Sequence, residues 1–116
     1  MGESPTETQR GSAVIAVGDV LTLHDADTGA SGKNVTRPCM VIAVSAAIVV
    51  VAPRSVSVNG PVPTPASASP GFNKPGSFSR WRCRVGRRAA DAAANHGQLA
   101  EPYRAQVLAL FVRRST

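Results

Sequence analysis

Three arginines at alternate positions, Arg80, Arg82 and Arg84 in "SFSRWRCRV", are the densest array of one functional group in this chain. In an extended strand alternate side chains share a face, which sets the three guanidinium groups about 7 Å apart. That interval is close to the phosphate spacing of an extended single-stranded nucleic acid. Arg87 and Arg88 prolong the row. The same alternation sends Ser79, Trp81, Cys83 and Val85 to the opposite face, with Trp81 expected in the core. A solvated outer strand is the competing use of such a row, because arginine discourages edge pairing. A further arginine is fixed by its neighbour. In "VTRPCMVIAV", Pro38 opens an apolar run, and a residue without an N–H suits the first position of a strand. Arg37 is thereby pinned where loop becomes sheet, either for a salt bridge to Asp19 or Asp25 or as part of a site.

Other reactive residues carry weaker signals. The loop segment "TGASGKN" is glycine-rich and ends near Lys33, but it lacks the GxxxxGK[ST] spacing of a phosphate-binding P-loop. Cys39 and Cys83 form no CxxC pair, and with His24 and His96 they show no zinc-ligand spacing. Both cysteines are expected as free, buried thiols. His24, where the first strand meets the loop, reads as structural or exposed. No nucleophile elbow, HExxH, paired-carboxylate motif or dinucleotide fingerprint occurs, so no cofactor and no metal are expected.

The elements that must hold these residues follow from patterning. With 116 residues the chain suits one domain, able to bury roughly two-thirds of its unfolded surface. Residues 1–12 are polar and expected to be a disordered tail ahead of a domain at 13–116. Strands are expected at Val17–Leu23, Cys39–Val44 and Ala46–Ala52, with a weak edge strand around Val56, Val58 and Val62. Residues 25–36 read as a loop, and 61–75, with five prolines, as an exposed one. Residues 86–98 are ambiguous, with a helical turn or two broken by Gly97. "AEPYRAQVLALFVRR" is an amphipathic helix whose stripe is Tyr103, Val107, Leu110 and Phe111. Several short strands and one terminal helix describe a mainly β, α+β fold: a small barrel with a helix packed on it.

Charge narrows the partner. The net charge is +6, yet residues 1–27 carry five acids against one arginine and residues 28–116 carry twelve cations against two acids. Eleven of the thirteen cations are arginine, which suits bidentate phosphate contact. A polyanionic partner fits this asymmetry: nucleic acid, an anionic membrane surface or an acidic protein segment. GC-rich coding, which raises Arg and Ala together, is the alternative origin of the bias. The longest apolar run, Val41 to Ala52, is too short to span a bilayer, and no signal peptide is evident, so a cytoplasmic protein is expected.

"VGDVLTLHDADTGASGKNVTRPCMVIAV" followed by "IVVVAPRSVS" resembles the PemK/MazF family of ribonuclease toxins. Gly18-Asp19-Val20 matches the family's opening strand, Ser31 its loop serine and Arg37-Pro38 its Arg-Pro. Ala52-Pro53-Arg54-Ser55 matches the strand ending near Pro-x-Thr/Ser. "GFNKPGSF" and "HGQLAEPYRAQVLAL" resemble later segments, so the likeness runs roughly over 17–112 and is strongest over 17–57. It implies an SH3-like barrel, a homodimer and a cognate antitoxin. It also implies metal-independent cleavage of single-stranded RNA by attack of a 2′-hydroxyl on the adjacent phosphate. Arg37 and Ser55 would then be catalytic, and Ser31, Lys33, Arg54, Arg80 and Arg82 would bind RNA. Ser57 competes with Ser55 by a shift of register. Where the family commonly reads Gly-Ser-Glu-Gln, this chain has Ala30-Ser31-Gly32-Lys33, so a carboxylate is missing. His24, Asp25 and Asp27 are candidate replacements. The departure keeps two other readings open: a non-catalytic module binding nucleic acid or protein, and a toxin of the same barrel type acting on a topoisomerase.

Overall fold

A computed structural model describes residues 14–29 and 35–112. The expected tail at 1–12 and two loop residues, Ser31 and Lys33, lie outside the described residues. The chain forms β1 (Asp19–His24), α1 (Asp25–Thr28), β2 (Thr36–Val44), β3 (Ile48–Ser55) and β4 (Val62–Thr64). A 3-10 turn (Ala66–Ala68), β5 (Gly76–Phe78), β6 (Cys83–Gly86), α2 (Arg87–Ala92), β7 (Ala94–Gln98) and α3 (Tyr103–Ala109) follow. The strands make a curled antiparallel half-barrel in the order β4-β5-β3-β2-β1-β7, with β6 on the remaining length of β3. The fold is mainly β and α+β, as the patterning predicts.

The continuous apolar runs of β2 and β3 are explained by two cores, one on each side of the sheet. Leu21, Leu23, Cys39, Val41, Val49, Val51 and Val85 face the first, capped by Ala90 of α2. Val20, Met40 and Ala52 face the second, together with Phe72, Phe78, Leu99 and Val107 of α3. A strand buried on both faces has no need of polar alternation. Between β2 and β3 the chain turns at Ser45, whose hydroxyl accepts the Ile48 N–H (3.2 Å) and donates to the Ile48 carbonyl (3.0 Å).

Several expectations need correction, among them the loop at 25–36, whose first four residues form α1. Residues 61–75 are not simply an exposed loop: β4 and the 3-10 turn come from them, and Val62, Thr64, Ala68, Ser69 and Phe72 are buried. Proline is tolerated here because β4 is an edge strand. Val56 and Val58 are exposed and join no strand. Residues 94–98, left ambiguous, form β7 because β1 has a free edge that they pair with.

The arginine row is also broken. Arg54 pairs with Phe78, whereas Val51 pairs with Cys83, so the chain between β5 and β6 carries two more residues than the strand it faces. The slip falls opposite Ala52 and Pro53, and Pro53 has no N–H to give a partner. Residues 79–82 therefore bulge out of the ladder. Trp81 leaves the core with them and is 37% exposed.

Candidate functional site

The site grows from the meeting of β2 and β3. Their register, Met40 with Ala52 and Cys39 with Pro53, brings Arg37 near Ser55 at the open end of the hairpin. Both residues line a cavity of about 540 Å³, together with Thr22, Thr36, Arg54, Gly71, Asn73 and Lys74. Two residues expected to act together, 18 positions apart in the chain, thus share one concave surface.

Arg37 is held firmly. Its Nε donates to Asp25 Oδ1 at 2.7 Å and its Nη2 to Asp25 Oδ2 at 2.9 Å, a bidentate pair with a fully buried carboxylate. The salt bridge considered for Arg37 is therefore made, with Asp25 rather than Asp19. The hydrogen bonds that Arg37 donates to Asp25 raise the guanidinium pKa further above its ordinary value. Trp81 covers the group, its ring centroid 5.2 Å from Arg37 Cζ. Nη1 alone is unclaimed by Asp25, and it approaches the Arg54 carbonyl at 3.5 Å, the outer limit of a hydrogen bond. Ser55 Oγ accepts the N–H of Ser57 at 3.1 Å, whereas Ser57 is exposed and caps Asn59. Ser55, not Ser57, belongs to the cavity.

Arg54 lines the same cavity but is far more enclosed than a residue on an open surface, being 4% exposed. Its Nε donates to Thr64 Oγ1 (2.8 Å), and Nη2 donates to the carbonyls of Thr64 (3.1 Å) and Lys74 (2.9 Å). Phe72 lies beneath the guanidinium at 3.7 Å. Desolvation lowers its pKa. Arg82 faces elsewhere, into a groove of about 840 Å³ beside Cys83, Arg84, Leu108 and Phe111. Arg80 sits exposed in the bulge and lines neither cavity. The three arginines of the row do not present one face.

Among the candidate replacements for the missing carboxylate, Asp25 has both oxygens on Arg37. His24 and Asp27 line a separate cavity with Ala89 and Ala93, beyond Thr22 and Thr36. His96 was not singled out as a site residue. It shares a 2.8 Å hydrogen bond with Thr22 Oγ1, a wall of the Arg37 cavity, and its ring rests against Gly71. Lys74 was also missed. Pairing of β7 with β1 brings His96 here, and the return of the proline-rich segment to β3 through β5 brings Lys74; nothing in local patterning signals either. Among the described residues no His, Cys, Asp and Glu cluster could hold a metal ion.

No protein-family model matches the chain, and no curated protein matches it. Among the described residues no helix is long and apolar enough to cross a membrane.

Proposed function

We propose that the protein is an endoribonuclease toxin of the PemK/MazF type that cuts single-stranded RNA without a metal. The observation that carries this reading is that Arg37 and Ser55 line one cavity with the cation Lys74 beside them. RNA lies with its scissile phosphate against Arg37 Nη1 and Ser55 Oγ. The 2′-hydroxyl loses its proton and attacks the neighbouring phosphorus, the P–O5′ bond breaks, and a 2′,3′-cyclic phosphate and a 5′-hydroxyl that takes up a proton are left. Arg37, fixed by Asp25 and by Trp81, loses little freedom on meeting the charge that develops there. Pre-aimed donors of this kind are worth on the order of 10²–10³ in rate. The same reading brings a cytoplasmic location, a homodimer and a cognate antitoxin protein that blocks the cavity.

A second reading, a non-catalytic module that binds nucleic acid, is favoured by one observation: Asp25 already neutralises Arg37. Incubation of the purified protein with long single-stranded RNA in EDTA, with the ends mapped, separates the two. Cleavage by wild type that falls at least 100-fold in Arg37→Ala supports the nuclease. Intact RNA, or undiminished cutting by the variant, rules it out.

A further inference from the structure

Arg54 is a buried cation with no carboxylate partner among the described residues, and all three of its hydrogen bonds go to neutral oxygens of Thr64 and Lys74. Burying a guanidinium without an opposite charge is costly, and such groups are ordinarily paired. Nη1 carries no hydrogen bond, yet among the described residues no buried side-chain nitrogen or oxygen lacks a partner. Nη1 is therefore not sealed off from solvent, and Arg54 lines the 540 Å³ cavity.

The surroundings are built for this pose. Gly76 has no side chain, and a Cβ there would stand 3.0 Å from Nη1 and 2.9 Å from Cζ. Phe72 supports the guanidinium face from below. Lys74 lines the same cavity, exposed, and its ammonium has no ion-pair or hydrogen-bond partner among the described residues. Arg37, by contrast, is neutralised by Asp25. The net positive charge of the cavity thus lies with Arg54 and Lys74, away from the Arg37–Asp25 pair.

We infer that Arg54 Nη1 and Lys74 form a phosphate seat of their own, beside Arg37 and distinct from it. A buried, immobile donor facing a partly enclosed cavity attracts an oxyanion more strongly than the same group in open water. A single-stranded nucleic acid would place a phosphate next to the reacting one in this seat. This deepens the RNA reading and rests on it only for the molecule to which the phosphate belongs.

The test is a titration of the full chain, labelled with ¹⁵N-arginine, with inorganic phosphate against chloride at equal ionic strength. The Arg54 Nε–Hε resonance, assigned through Arg54→Lys, is expected to move saturably and more than that of Arg37. Lys74→Ala, at an exposed position that leaves folding intact, weakens phosphate roughly three- to ten-fold, the loss of one charge-assisted contact. A 5′-phosphorylated deoxydinucleotide, which offers no 2′-hydroxyl, behaves the same way. A response that does not saturate, or that is centred on Arg37 and indifferent to Lys74→Ala, overturns the seat. RNA cleavage without a saturable seat sinks this inference alone. A saturable seat on a protein that leaves RNA intact sinks the nuclease reading alone.

Discussion

Asp25 commits both carboxylate oxygens to Arg37 and is itself fully buried, which makes it a positioning residue for the guanidinium. Asp25→Asn leaves a buried amide facing a charged group. We expect a loss of about 3 kcal/mol in urea unfolding, near the low end for a broken buried pair because Arg37 is a quarter exposed. A variant as stable as wild type would mean that the pair adds nothing. Cys39 supplies a pH dependence. Burial pushes its thiol well above the ordinary value of 9.0, and burial pushes Cys83 in the same direction. Unfolded thiols release protons near pH 9 while folded ones keep them, so above that pH the unfolded state binds fewer protons. Stability from these thiols is complete below pH 9 and falls as pH rises, by up to about 1.4 kcal/mol per unit for Cys39 and by less for the half-buried Cys83. Urea midpoints between pH 7 and 10.5 check this, and Cys39→Ala must flatten the decline. At this scale Arg37 is legible because Pro38 fixes it at the mouth of β2, whereas Ser55 is suggested only by the family resemblance. Of the two expected buried thiols, Cys39 is buried and Cys83 half-buried. Arg54 is not legible, since its environment is assembled from Thr64, Lys74 and Gly76, up to 22 positions away.

The elements divide along the same line. β1, β2 and β3 are legible because their apolar runs admit no other use, and α3 because its stripe, with Val107 fully buried, has helical period. What patterning does not reveal is pairing across the chain. β7 exists because β1 has an edge to fill, and the row around Arg82 fails because β5 and β6 pair β3 in registers two residues apart. Gly76 in β5 is the most sensitive junction, as a Cβ there would collide with the Ser55 carbonyl and press on the Arg54 guanidinium. Gly76→Ala is expected to lower stability by about 1–3 kcal/mol, the range for overpacking. It should also release the Arg54 Nε proton to faster solvent exchange. Phe78→Ala, in the same strand and fully buried in the second core, should cost about 3–5 kcal/mol and make no distinction between the two chemical readings. A fully folded, unperturbed Gly76→Ala protein would contradict the packing around Arg54.

For the whole molecule, the sheet separates two cores, and the cations are split between separate cavities. Arg37, Arg54 and Lys74 gather at one cavity, while Arg82 and Arg84 border another, lined also by Phe111. A basic excess in a sequence therefore does not convert into a continuous binding track. If the 540 Å³ cavity is the nucleic-acid site, only a few phosphates are touched. The affinity for single-stranded RNA should then fall with salt at a logarithmic slope of about −1.4 to −2.8, corresponding to two to four phosphates. A slope steeper than about −5 would mean that the outlying arginines are engaged as well. Fluorescence anisotropy between 50 and 300 mM salt measures it.

The bulge that carries Trp81 outward has an optical consequence. Trp81 is the sole indole of the chain, and it overlies the Arg37 guanidinium. Ultraviolet excitation at its red edge therefore interrogates this one spot, without any added dye. Whatever settles against that guanidinium should change the colour or brightness of the emitted light.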